Sequence, residues 1–396
     1  MNYKKYFPIF KTNKDLCYLD SAATSLKLGE VIKCECEFIQ NNGTNPHSGG
    51  YDLSYQAETD IEIVRNRIGK YLNSPTSSNI VFTYGTTDSL NLVINGLENI
   101  IAGGDEIINS PLDHHSFLLP VQSLCQKTGA KNIFMRLHNG KITLKSFLDA
   151  VTEKTKVLCL THVSNAFGVV APIKSIIEEA HKRGIIVIVD AAQSIPHMRI
   201  DVSDIDVDFL AFSMHKIFGP FGVGVLYGKS EMLKMITPSR VGGGMIYTYD
   251  KAGSLFKEIP YIFEGGTPNV AGIVASKAAI DFMDNLHLEQ AEKRVVALAK
   301  LAIKGLSHLD DVIVYNNGEC GIVNFNISGV HSHDAQGYLN TKNICIRAGH
   351  HCAQLAMKEK SIKTSLRASF SIYNDSNDVD KLIVAIKDTI EFFRSK

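Results

Sequence analysis

From about residue 60 to 230 the sequence alternates short apolar runs with stretches whose apolar residues recur at helical spacing. The runs Asn79-Ile80-Val81-Phe82, Glu106-Ile107-Ile108, Ile133-Phe134-Met135, Val157 to Leu160, Ile185 to Val189, Phe209 to Phe212 and Gly222 to Leu226 read as strands. Ile173, Ile176, Ile177 and Ala180 form an i, i+3, i+4, i+7 stripe, with Pro172 suited to the first helical position and Gly184 to the stop. Strands alternating with such helices indicate an α/β layer fold with a mainly parallel sheet.

A long helical pattern from about Ile273 to Leu309 marks the exit from this region. Beyond it, strands at Ile322 to Ile327, Ile344 to Arg347 and Ser365 to Phe370 alternate with helices, the pattern of a smaller α+β domain. At about 150 residues per domain, two or three domains are expected. The chain contains no internal repeat, low-complexity tract or flexible linker.

Composition removes several function classes. Lys plus Arg and Asp plus Glu are each 41, so the net charge is zero and no global basic field exists for a nucleic acid. Hydrophobic residues at 45% exclude long disorder. Eight irregularly spaced cysteines suggest no disulfide framework and favour a reducing compartment. The segment Met1 to Phe10 is too short and too polar for a secretory signal, and no run approaches the ~20 apolar residues of a membrane span. The expectation is a soluble cytoplasmic protein with no nucleic-acid or membrane partner.

In open α/β sheets ligands bind outside the carboxyl ends of the strands. Five polar clusters follow the apolar runs: Tyr84-Gly85-Thr86-Thr87, Asp113-His114-His115, Thr161-His162-Val163-Ser164-Asn165, Asp190-Ala191-Ala192-Gln193 and Ser213-Met214-His215-Lys216. Each has a plain reading as well as a chemical one. Gly85-Thr86-Thr87 suits a helix cap, or an anion held by free backbone amides and hydroxyls. Asp190 suits a cap, or a partner for a positive charge. His114-His115 suits a turn. Lys216 suits the surface, yet it precedes the apolar, glycine-rich Ile217 to Gly222, where an amine becomes a better nucleophile. Together the parts fit pyridoxal phosphate. Gly85-Thr86-Thr87 would supply the phosphate cup, Asp190 a carboxylate for the ring nitrogen, Lys216 an amine for the aldehyde, and His115 a flat group over the ring.

Among the cysteines only Cys352 has a polar neighbourhood, following Arg347, His350 and His351. Cationic neighbours favour the nucleophilic form of a thiol. From the residues alone three readings stand open: a nucleophile, a buried thiol, or a ligand in a partial zinc site with His331 and His333.

Asp190-Ala-Ala-Gln193, Ser213-Met-His-Lys216, Phe263-Glu-Gly-Gly-Thr267-Pro-Asn269 and Arg347-Ala-Gly-His-His-Cys352-Ala resemble the class V aminotransferase family, and within it the group II cysteine desulfurases. The resemblance runs from Tyr18-Leu19-Asp20 to Arg367-Ala-Ser369. It implies the fold type I of pyridoxal-phosphate-dependent transferases. Residues 21–284 would form the large cofactor domain, and 1–20 with 285–396 the small domain carrying the Cys352 loop. It implies that Lys216 bonds the cofactor, Asp190 holds the ring nitrogen, Gln193 bonds the phenolic oxygen and His115 stacks on the ring. Thr86, Thr87, Ser213 and His215 would hold the phosphate, with Thr267 reaching the partner subunit's cofactor in a homodimer. Asn165 and Arg367, with Arg347 beside them, would bind the substrate carboxylate. The implied reaction turns L-cysteine into L-alanine, leaves a persulfide on Cys352 and passes the sulfur to an acceptor protein. His115 would move protons on the substrate thiol. No metal is implied.

In one segment the sequence departs from the family pattern: Ser48 and Tyr51 stand where well-known members carry Arg and His at the site entrance, although His47 remains. Competing readings are selenocysteine lysis, transamination or kynurenine cleavage on the same cofactor. A non-enzymatic metal scaffold on His331, His333, His350, His351 and Cys352 is the remaining alternative.

Overall fold

The computed structural model describes residues 3–46 and 49–395. Seven strands form the main sheet: β1 (Ile80–Thr83), β2 (Glu106–Asn109), β3 (Lys131–Phe134), β4 (Thr155–Thr161), β5 (Ile186–Asp190), β6 (Phe209–Ser213) and β7 (Gly224–Gly228). Their spatial order is β1-β7-β6-β5-β4-β2-β3. Only β7 runs against its neighbours, so the other six end on one edge. Alternate residues serve two cores on opposite faces. Val187, Val189, Leu210 and Phe212 pack on one side, and Ile188, Phe209 and Ala211 on the other. This double burial is why the strands read as unbroken apolar runs.

Gly224 shows how β7 fits. A Cβ there would lie 2.3 Å from Thr83 Oγ1 and 2.4 Å from the Gly85 nitrogen, so only glycine lets β7 pass the turn that leaves β1. The predicted helix at 172–183 is found as Ile173–His181, with Pro172 one position earlier than expected, at the cap.

The long helical pattern from Ile273 to Leu309 is two helices, Val270–Asn285 and Leu288–Leu306. Leu286 adopts an extended conformation (φ −77°, ψ 131°), which ends the first helix and redirects the second. The second helix packs beside a four-stranded antiparallel sheet of β8 (Val312–Val314), β9 (Ile322–Ile327), β10 (Arg347–Gly349) and β11 (Ser365–Ser369), in the order β8-β9-β11-β10. The predicted strand Ile344 to Arg347 divides. Ile344–Cys345 pairs in parallel with Cys17–Tyr18, and Arg347 begins β10. The N-terminal segment is thereby tied to the second sheet, with Asp20 bridging to Ser369.

A hairpin of Ile246–Asp250 and Gly253–Phe256, not foreseen in the sequence, projects Tyr247, Tyr249 and Leu255 into solvent. Among the described residues no helix is long and apolar enough to cross a membrane.

Candidate active site

Five parallel strands deliver polar residues to one cavity of about 200 Å³. After β1 comes Thr86, whose N–H and hydroxyl meet Ser213 Oγ at 2.7 and 2.6 Å. Thr87 Oγ1 lies 2.7 Å from Ser116 Oγ. These hydroxyls, with His215, line one end of the cavity beside the first turn of the helix Thr86–Gly96. Free amides and hydroxyls at a helix start favour an anion.

Asp190 ends β5 and is buried. Its Oδ1 accepts from Ala192 N–H at 2.9 Å. Burial raises its pKa, and the neighbouring Lys216 charge works against that rise. Lys216 follows β6 and lines the same cavity. Its pKa falls to about 8, chiefly through burial, with Arg367 and Arg347 adding to the fall and Asp190 opposing it. A lysine so placed gives up its proton more readily than a free one. Gln193 lines the cavity and donates to the Ala22 carbonyl at 2.6 Å.

The second sheet supplies the opposite wall. Arg367 on β11 and Arg347 on β10 are register partners, and both line the cavity. Arg367 is fully buried and donates to Asp20 Oδ1 at 2.9 Å and to the Asn165 carbonyl at 2.8 Å. Its Nε, together with Asn165 Oδ1 and Thr161 Oγ1, has no partner. Buried polar atoms are rarely left unpaired. Three of them on residues of one cavity leave hydrogen bonds for a polar ligand to make.

Cys352 lies outside the cavity wall but beside it, with Arg347 Nη2 3.5 Å from Sγ. His351 and Cys352 both have positive φ, 54° and 55°, a costly pair of left-handed residues that persists only where surrounding contacts hold it. Those contacts are visible. Asn165 Nδ2 donates to His351 O at 2.5 Å, His115 N–H donates to Cys352 O at 3.0 Å, and His351 Nε2 meets Ser365 Oγ at 2.9 Å.

The structure corrects one assignment. His114, not His115, lines the cavity. His114 caps the helix His115–Thr128 from an extended conformation, and its Nδ1 accepts from Ser116 N–H at 3.1 Å, which turns the ring back toward the strand ends. Burial and the charges of Lys216, Arg347 and Arg367 push its pKa down to about 3, so the ring is neutral with its proton on Nε2. His115 already belongs to the helix and points away. Its ring accepts from Gln354 N–H at 3.4 Å, beside the Cys352 loop.

Thr267 is also outside its own chain's cavity, in an exposed stretch where its carbonyl meets Tyr84 OH at 3.4 Å. The remaining expected residues, Thr86, Thr87, Asn165, Asp190, Gln193, Ser213, His215, Lys216, Arg347 and Arg367, come together. His47 and Ser48 lie outside the described residues, and Tyr51 is exposed. His331 and His333 stack on each other at 5.3 Å, and among the described residues no group of three or more His, Cys, Asp or Glu is arranged to hold a metal ion. Sequence reasoning assigned no role to Thr161, although it stands at the end of β4 in register with Asp190.

Comparison with known proteins fits this geometry. The aminotransferase class-V family model matches residues 17–382. A probable cysteine desulfurase of Halalkalibacterium halodurans is 41% identical over 396 residues, covering 98% of each protein. A cysteine desulfurase of Cronobacter sakazakii is 36% identical, covering 96% of this chain and 95% of that protein. Among solved structures, the cysteine desulfurase CsdA of Escherichia coli superposes with a TM-score of 0.92 at 34% identity, covering 98% of both chains. The cysteine desulfurase of Thermococcus onnurineus gives a TM-score of 0.93 at 34% identity, covering 99% of this chain and 98% of that one. With the same fold along nearly the whole length and polar strand ends gathered at one cavity, the chain belongs to the class V aminotransferase family.

Proposed function

We propose that this protein is a pyridoxal-phosphate-dependent cysteine desulfurase. It converts L-cysteine to L-alanine, takes the sulfur onto Cys352 as a persulfide and passes it to an acceptor protein. The observation that carries this reading is the placement of Cys352 against Arg347, at the rim of the cavity that holds Lys216 and Asp190. A transaminase needs no thiol there.

The residues present fit the cofactor. The hydroxyl cluster of Thr86, Thr87 and Ser213, with His215, would hold a phosphate. Asp190 would keep a proton on the ring nitrogen, and Gln193 would bond the phenolic oxygen. The neutral ring of His114 would take the stacking role expected of His115. When bound, the cofactor supplies an electron sink next to the substrate α-carbon.

The chain's own groups do the rest. Arg367 Nε, left without a partner, binds the substrate carboxylate, and Asn165 Nδ2, with one proton on the His351 carbonyl, offers its second. Lys216 Nζ, with its pKa near 8, takes the α-proton and returns it. Cys352 Sγ bonds the substrate sulfur as the carbon–sulfur bond breaks, so cysteine plus thiol becomes alanine plus persulfide. The His115 N–H steadies the Cys352 carbonyl, and its ring, against Gln354 N–H beside the same loop, would exchange protons with the sulfur.

A homodimer and a cytoplasmic location belong to the same reading. Exposed Thr267 and the exposed apolar hairpin around Tyr249 support a partner subunit. The test is to incubate the purified, cofactor-loaded protein with L-cysteine and a reductant. Equal yields of L-alanine and sulfide are expected, and absence of alanine would overturn the assignment.

A further inference from the structure

Lys27 has no part in the chemistry above and does not line the cavity. All three of its ammonium protons are nonetheless engaged. Nζ donates to the Ser25 carbonyl at 2.8 Å, to the His215 carbonyl at 3.0 Å and to Thr24 Oγ1 at 3.1 Å. The His215 carbonyl belongs to the peptide group whose nitrogen is that of Lys216. The same oxygen also meets Ser25 N–H, Ser25 Oγ and Thr24 Oγ1, each at 3.0 Å. Four donors from residues 24–27 therefore converge on one carbonyl, beside the lysine that carries the chemistry.

A solvating lysine would reach into water, and an ion-pairing one would face a carboxylate. Lys27 does neither. It is half-buried, and among the described residues no carboxylate forms a salt bridge with it. Its ammonium sits 4.2 Å from the Phe221 ring centre, and that ring stacks on His215 at 5.8 Å and 20°. Removal from water lowers its pKa to about 7. Lys27 thus grips His215 twice, through the main chain and through Phe221. A charge-assisted hydrogen bond to a carbonyl is stronger than a neutral one.

We propose that Lys27 is a positioning residue, clamping the His215–Lys216 peptide so that Lys216 Nζ is held in its working direction. The inference rests on Lys216 being the cofactor lysine. Ser25 and Thr24 still satisfy the carbonyl when Lys27 is removed, so a Lys27→Met protein should fold.

The experiment compares wild type, Lys27→Met and Lys27→Arg, each stripped and reloaded with pyridoxal phosphate. It reads visible circular dichroism per bound cofactor, the thermal midpoint of the cofactor-free form, and kcat and KM for cysteine. In Lys27→Met the visible dichroism should fall to about half and kcat roughly tenfold, with KM little changed, as expected when a reacting amine is misdirected. Lys27→Arg, which keeps charge and donors, should recover most of both. Wild-type dichroism and kcat in Lys27→Met would overturn the proposal. So would a lowered thermal midpoint with dichroism and kcat intact, which marks a purely structural lysine. If Lys27→Met does not fold, Lys27→Gln, without charge, carries the same comparison. A wild-type protein that forms no borohydride-fixable adduct at Lys216 would overturn the functional reading itself. A normal wild-type adduct with unaltered variants overturns only the role of Lys27.

Discussion

Neighbouring residues at the same turn have opposite fates in this protein. His114 and His115 are adjacent, yet one lines the cavity and the other borders the Cys352 loop. The sequence marked the pair but held no signal for which ring turns inward. That depends on where the helix begins, and a one-residue shift of the cap exchanges them. The convergence of Asp190 and Lys216 on one cavity was legible because each follows an apolar strand run, whereas the residues around Cys352 left three readings open and only the family resemblance chose among them. The orphaned Arg367 Nε was not, because its partners come from distant segments. His114→Ala should change the absorption spectrum of bound cofactor and weaken its binding. His115→Ala should leave the spectrum unchanged and slow persulfide formation. Reversed spectral outcomes would restore His115 to the ring. Asp190→Asn should retain bound cofactor while lowering kcat by at least about a hundredfold, because a neutral amide cannot hold the ring nitrogen protonated. Steady-state rates with normal cofactor content measure this, and near-normal kcat would remove Asp190 from the chemistry.

Among elements, the parallel strands were legible because burial on both faces leaves unbroken apolar runs. The direction of β7 was not, since periodicity carries no sense of direction. The break at Leu286 was hidden for a similar reason, as both flanking helices keep the same spacing of apolar residues. The Phe263-to-Asn269 motif gains a structural meaning here. Glu264 accepts from Arg65 at 2.6 and 2.8 Å and from Phe82 N–H at 2.7 Å, fixing the Thr267 segment to β1. Arg65 is fully buried, so removing its partner strands a charge. Glu264→Ala should lower the unfolding free energy by about 3–5 kcal/mol. Urea denaturation of the cofactor-free protein measures it, and a change below about 1 kcal/mol would show that Glu62 and water replace the pair.

At the scale of the whole molecule, two sheets meet around a site whose histidines are held neutral. Burial lowers His114 to about 3, His162 and His215 to about 4, and His351 to about 2. Below about pH 6.5 the unfolded chain protonates all four while the native state does not, so stability falls as pH falls. Asp113, raised to about 7, and Asp190, also raised, act in the opposite sense because the native state protonates them first. Four groups against at most two leave a net loss of stability as pH falls from about 6.5 toward 5. Denaturation of the cofactor-free protein at several pH values measures this slope, and a flat profile would contradict it. The central claim, that Cys352 takes the sulfur, has a more direct test. Cysteine is added to wild type and to Cys352→Ala, following the cofactor spectrum, protein-bound persulfide and alanine. The variant should keep its cofactor and still change colour with cysteine, yet form no persulfide and almost no alanine. Undiminished alanine production by Cys352→Ala would contradict the account.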